Sequence, residues 1–158
     1  MKKLILIGRS ECGKTSLTQA IKGESISYKK TQAVDYSNIT IDTPGEYAEN
    51  KSLASALALY AYESDIVGLV LSATEPYSLY SPCITNMANR EVIGIVTKID
   101  KENANPVRAE KWLRLAGCKT IFKVSSVTKE GISDLVNHIS QPKINKTKEK
   151  YNKNKEKR

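Results

Sequence analysis

Near the start of the chain an apolar run, Leu4-Ile5-Leu6-Ile7, ends in Gly8, and four residues later Gly13-Lys14-Thr15 opens a stretch of helical pattern. Glycine, four residues, then Gly-Lys-Ser/Thr is the phosphate-binding loop pattern, and it functions only between a strand and a helix. Gly8 and Gly13 permit backbone angles and close approaches that a Cβ blocks. The loop's N–H groups then face phosphate oxygens, helped by the helix N-terminus behind them. Gly8, Arg9, Ser10, Glu11, Cys12, Gly13, Lys14, Thr15 and Ser16 are therefore candidate nucleotide-binding positions. Within this set, Lys14 would lie against the β and γ phosphates and the Thr15 hydroxyl would ligate Mg²⁺. The competing reading is a chance match in an ordinary strand–turn–helix.

The rest of the chain supplies the context such a loop needs. Residues 2–7 read as a strand buried on both faces, as parallel sheets require. Residues 14–22 read as the following helix, with Leu17, Ala20 and Ile21 inward and Gly23 as its stop. Short strands are expected at 34–36 and 39–41, around a turn at Ser37-Asn38. A helix follows at 52–63, with Leu53, Ala56, Leu57 and Tyr60 on one face. The most apolar run, 66–73, should be a central strand, and 74–82 a loop. A short weak helix at 83–89 precedes a strand at 92–96. Pro106 introduces a helix at 107–116, with Trp112, Leu113 and Leu115 inward and Gly117 as its cap. A last strand at 120–124 leads into a helix at 131–139, capped in part by Ser133. Strands alternating with helices imply an α/β P-loop NTPase, a doubly wound, mostly parallel sheet of about six strands with helices on both faces. In such sheets ligands bind beyond the carboxyl ends of the strands, where the polar motifs here all fall.

Charge divides the chain into a body, residues 1–140, and a tail, 141–158. Of the formal net charge of +8, the tail carries +6, from eight Lys/Arg against two Asp/Glu. The basicity is thus not a property of the folded body, which argues against nucleic acid as its partner. The Lys/Asn/Glu-rich tail reads as disordered. Three cysteines, Cys12, Cys83 and Cys118, show no metal-site spacing and suit a reducing compartment. Met1-Lys2-Lys3 before an apolar run starts like a signal peptide, but the run stops at Gly8, too short for a signal core. With no window near the ~20 apolar residues of a membrane helix, a soluble, cytoplasmic protein is expected.

Asp42 ends an expected strand and begins Asp42-Thr43-Pro44-Gly45. Its carboxylate can hold Mg²⁺, usually through a water, and the Gly45 N–H can bind a γ-phosphate. Thr31, in the loop between the first helix and Asp42, can complete Mg²⁺ coordination and sense the γ-phosphate, or is a solvated hydroxyl. The metal set is thus Thr15, Thr31 and Asp42, and the candidate catalytic set is Lys14, Thr31, Gly45 and Glu46. Thr97-Lys98-Ile99-Asp100, after the fifth expected strand, resembles the Asn-Lys-x-Asp base-recognition motif of GTPases. The Asp100 carboxylate can accept the two N–H donors that guanine presents side by side and adenine lacks. Lys98 would lie over the base plane. Ser125-Ser126, after the last strand, stands where GTPases commonly place a Ser-Ala that contacts the base oxygen.

Together these motifs resemble a small GTPase of the translation-factor-like class across residues 1–139. Arg9 through Thr15, Lys30-Thr31-Gln32-Ala33-Val34, Asp42-Thr43-Pro44-Gly45-Glu46-Tyr47 and Thr97–Asp100 resemble more closely the EutP/PduV family of ethanolamine and propanediol utilisation. The resemblance implies a bacterial cytoplasmic protein that binds GTP or GDP with Mg²⁺. It also implies association with a microcompartment shell or the enzymes inside.

The chain departs from the wider GTPase pattern in several places. Thr97 replaces an Asn that contacts the base and braces the phosphate loop, although its hydroxyl can supply one hydrogen bond. Guanine preference is therefore open to ATP as an alternative. Glu46 stands where Ras-like proteins carry a water-orienting Gln, and a carboxylate there implies slow hydrolysis. Glu11 replaces the Asn of potassium-stimulated GTPases, which leaves K⁺ as a candidate cofactor. Arg9 is expected to pair with Glu11 or Glu46. Cys12 is either an oxidisable thiol at a helix N-terminus or a packed, inert one. His138, the only histidine, lies far in sequence from every motif, and Tyr77 and Tyr80 read as loop packing and surface. Three functions follow: a nucleotide switch, a phosphotransferase passing the γ-phosphate of ATP to a small carboxylate such as acetate, and a binding module whose nucleotide is structural.

Overall fold

Three apolar runs, buried on both faces along most of their length, and a fourth, half-buried run at the edge form one parallel sheet. The computed structural model describes residues 2–29 and 53–142. Its elements in chain order are β1 (Leu4–Ile7), α1 (Lys14–Lys29), α2 (Leu53–Glu63), β2 (Ile66–Ser72), a 3₁₀ turn (Ile84–Met87), β3 (Glu91–Thr97), α3 (Pro106–Ala116), β4 (Thr120–Lys123) and α4 (Ile132–Ser140). The sheet order is β1-β2-β3-β4 with every pair parallel. Ile7 lies opposite Leu69, Leu69 opposite Gly94, and Ile93 opposite Thr120.

Side chains alternate across this sheet into two cores. Leu4, Leu6, Ile66, Val70, Ile93 and Ile95 face α1 and α4, meeting Leu17 and Ile21 of the first and Leu135 and Ile139 of the second. Ile5, Ile7, Val67, Leu69 and Val96 face α2 and α3, meeting Leu57 and Leu113. Helices on both faces of a parallel sheet are the doubly wound α/β architecture read from the sequence. Four of its strands lie among the described residues; those expected at 34–36 and 39–41 lie outside them.

Several local expectations are corrected. The first helix runs through Gly23 to Lys29. A glycine costs a helix interior about 1 kcal/mol relative to alanine, but it stops one only when it takes a positive φ, and Gly23 does not. In α3 the inward positions are Ala109, Leu113 and Ala116, while Leu115 is 60% exposed. That follows from the spacing, since 109, 113 and 116 share one helical face and 115 does not. The cap of α4 is Gly131 at φ 73°, not Ser133, and the weak helix at 83–89 is the single 3₁₀ turn. The caps of α3 are as expected: Pro106 opens it, the Asn105 side chain accepts from the Arg108 N–H, and Gly117 ends it at φ 108°.

All four strands point the same way, so their carboxyl ends form one rim. Gly8, Ala73, Lys98 and Val124 follow them there. The His138–Glu91 contact (2.7 Å) joins the last turn of α4 to the start of β3, at the opposite rim.

Candidate functional site

What the loop after β1 offers depends on where its carbonyls point, because a carbonyl turned inward repels an anion. Side-chain donors hold a succession of them. The buried Lys14 ammonium donates to Gly8 O at 2.7 Å and Arg9 O at 2.9 Å. Lys98 Nζ donates to Glu11 O at 2.6 Å, and Thr97 Oγ1 to Cys12 O, also at 2.6 Å. The Cys12 N–H reaches back to Arg9 O at 3.3 Å, and Gly13 O accepts the Leu17 N–H as α1 begins. With these carbonyls engaged, the loop leads into the N-terminus of α1, where the helix dipole favours an anion.

The backbone conformation explains two of the residue choices. Gly13 takes φ 97°, and a Cβ at Gly8 would stand 2.7 Å from Cys12 Sγ and 2.8 Å from Val70 O. Only glycine fits at the second position, because one of the obstructing atoms is backbone. Glu11 and Lys98 are non-glycine residues at φ 63° and 57°, a local strain that recurs at binding sites.

The segments after β3 and β4 meet beside this loop. Thr97 is buried, and its contact with Cys12 spans 85 positions. Its hydroxyl therefore braces the phosphate loop, as the one hydrogen bond the sequence left to it allows. Asp100 is exposed, and Ser125 Oγ donates to its Oδ1 at 2.7 Å. That hydrogen bond holds the Asp100 carboxyl below its ordinary pKa, so the group is a carboxylate at neutral pH. Ser125 is in turn held by the Thr128 N–H (3.1 Å) and by its own N–H on Glu130 O (3.0 Å). Ser126, half-buried, follows it, and Ser10, Thr15 and Ser16 are exposed on the loop and first turn of α1.

Arg9 meets a carboxylate that the sequence did not suggest, while Glu46, one of its expected partners, lies outside the described residues. The Arg9 Nη1 lies 3.1 Å from Glu75 Oε2, and its guanidinium sits 5.5 Å from the Tyr77 ring centroid. An open polar cleft beside the loop is lined by Arg9, Ser10, Glu11, Thr74, Glu75 and Lys98. Cys12 is 1% exposed, and burial raises its thiol pKa despite Lys14 nearby. Of the two readings of this cysteine, the structure therefore supports the packed, inert thiol.

The loop residues, Thr97–Asp100 and Ser125-Ser126 are thus gathered on one rim. Thr31, Asp42, Gly45 and Glu46 lie outside the described residues. Glu75 and Tyr80 were missed. Tyr80, read as loop or surface, is buried, with its hydroxyl 3.0 Å from Ile7 O and 2.7 Å from Val70 O. Neither residue belongs to a periodic pattern, and the sole available signal was position, just past the end of a central strand.

A phosphate loop closing the first strand of a parallel sheet, braced by the exit of a later strand that also carries an Asp, defines the P-loop GTPase-like fold. Translation elongation factor SelB from Methanococcus maripaludis, solved in complex with the GTP analogue GppNHp, has this fold: TM-score 0.57, 22% identity, covering 87% of this chain and 32% of that one. The family model PduV-EutP, described as ethanolamine utilisation – propanediol utilisation, matches residues 1–141, and the chain belongs to that family. It is 50% identical over 138 residues to the propanediol utilization protein PduV of Citrobacter freundii, covering 85% of this chain and 91% of that one. To the probable acetate kinase EutP of Escherichia coli K12 it is 27% identical over 143 residues, covering 89% and 90%.

Proposed function

We propose that this protein binds GTP and GDP at the Gly8–Thr15 loop and acts as a slow, Mg²⁺-dependent GTPase switch serving propanediol or ethanolamine utilisation. The observation that carries this reading is a braced loop beside an exposed carboxylate: Thr97 and Lys98 hold the loop, and Asp100 follows two positions after Lys98. Phosphates would take the loop N–H groups and the Lys14 ammonium. Guanine would place its N1–H and 2-amino donors on Asp100, while adenine would leave that carboxylate unmatched.

The Thr15 hydroxyl, exposed at the first turn of α1, has the chemistry to hold Mg²⁺ beside phosphate oxygens, with Asp42 as its expected second support. A bound Mg²⁺ supplies charge neutralisation for phosphoryl transfer. In the γ-phosphate state, Thr31 and the Asp42–Gly45–Glu46 loop would close on the site and dock a partner. The partner we propose is a microcompartment shell protein or an enclosed enzyme, met in the cytoplasm. The Glu46 carboxylate, repelled by the γ-phosphate, keeps turnover slow, and a K⁺ ion beside Glu11 would speed it.

A second reading, ATP-dependent phosphoryl transfer to acetate, is favoured by one observation, the likeness to a probable acetate kinase. Phosphate release and acetyl phosphate formation, followed with GTP and with ATP in the presence and absence of acetate, separate the two. The switch predicts slow, acetate-independent release from GTP. Acetate-dependent consumption of ATP would establish the transferase instead.

A further inference from the structure

The chain between β2 and the 3₁₀ turn touches the phosphate loop at two points that no sequence motif covers. β1 stops at Ile7, opposite Leu69, while β2 runs on to Ser72. Where the two strands part, the Tyr80 hydroxyl enters, 3.0 Å from Ile7 O and 2.7 Å from Val70 O. Ile7 O belongs to the peptide that leads into Gly8, so it is the first carbonyl of the series that Lys14, Lys98 and Thr97 continue. One residue further, Arg9 is drawn to Glu75. The segment has its own anchors in α3 and the turn before it. The Asn105 N–H donates to Ala73 O at 2.7 Å, and Arg108 Nη2 to Glu75 O at 2.8 Å. Glu75 thus meets Arg9 through its carboxylate and Arg108 through its carbonyl.

We propose that residues 74–80 form a second brace of the phosphate loop, and that Tyr80 is its positioning residue, fixing the peptide by which the chain enters the loop. The inference rests on the guanine-nucleotide reading above. A phenylalanine would fill the same volume; the hydroxyl is needed only for the carbonyls. Buried, the phenol keeps its proton, since burial pushes its pKa well up, and it remains a donor at any ordinary pH. The single phenolic proton is shared between Ile7 O and the nearer Val70 O. Without it the Ile7–Gly8 peptide loses that share of its restraint and can turn its oxygen toward the bound phosphates, where like charge weakens binding. The cost falls on the phosphates and not on the base, because Asp100 and Ser125 are held independently of this segment.

The test is calorimetric titration of GDP and GMP into wild type and Tyr80→Phe, with the ³¹P resonances of bound GDP as a second readout. The expected result is about a fivefold loss of GDP affinity, with GMP affinity within about twofold of wild type and a shifted β-phosphate resonance. GDP affinity unchanged within about twofold, or GDP and GMP falling together as general loosening would cause, overturns the proposal. Should Tyr80→Phe fail to fold, Glu75→Gln decides the matter on the same criteria, since it keeps shape and removes only the charge that holds Arg9. If wild type binds neither nucleotide, the reading of the site fails and the brace falls with it. If wild type binds and both variants match it, only the brace falls.

Discussion

Lys14→Ala lowers affinity for GDP and GTP by about 100-fold or more, on the order of 3 kcal/mol, because it removes the charged donor of the phosphate site. The lysine has two tasks. In the proposed site it would present an ammonium to the phosphates, and in the structure it holds Gly8 O and Arg9 O, the carbonyls at the loop's start. Its loss therefore also loosens the nucleotide-free loop, at about 1–2 kcal/mol of stability for two partly buried acceptors left to find water. Lys14→Met, which keeps most of the stem, separates the tasks: packing is retained while charge and hydrogen bonds are lost. Titration with a fluorescent GDP analogue, alongside thermal melting, measures both effects. Nucleotide affinity within about twofold of wild type in both variants would place the phosphates elsewhere.

Asp100→Asn converts the base preference. The carboxylate offers two acceptors, which suits guanine's adjacent donors, whereas an amide offers one acceptor and one donor. The amide fits xanthine, whose oxygen replaces the amino group of guanine. GDP affinity should fall by about 100-fold and xanthosine diphosphate should become the preferred ligand, as expected when a polar site meets a mismatched partner. Competition binding with the two diphosphates reads the switch directly. The variant should fold normally, since Asp100 is exposed and Ser125 keeps its bonds to Thr128 and Glu130. Unchanged GDP affinity would remove Asp100 from the base site.

Both residues were candidates from the sequence because each belongs to a short motif, and the fold brings the two motifs to one rim. Three strands were legible because 2–7, 66–73 and 92–96 are runs of β-branched and leucine residues, the composition a strand buried on both faces requires. The fourth, half-buried at the sheet edge, was marked by Thr120-Ile121-Phe122 between Gly117 and Ser125. What could not be read were contacts between distant segments. Tyr80 meets Ile7 across 73 positions and Arg9 meets Glu75 across 66. Nothing local in either pair requires the other, so Arg9 was assigned to Glu11 or Glu46 and Tyr80 to loop packing and surface, with no partner for its hydroxyl. Thr97 lies between these cases. Its sequence position suggested a weakened base motif, and the fold shows the short hydroxyl reaching the loop at 2.6 Å. Local rules also failed where tertiary packing decides, as with Gly23 inside α1 and Leu115 on the outer face of α3.

The account stands on this being a guanine-nucleotide site built from the Gly8–Thr15 loop and Asp100. Calorimetric titration of GDP, GTP, ADP and ATP, each with Mg²⁺, into the 158-residue chain tests that most directly. Guanine nucleotides should bind at least about tenfold more tightly than their adenine counterparts, the discrimination expected of a base-reading carboxylate. Equal or tighter binding of ADP and ATP, or binding of none of the four, would contradict it.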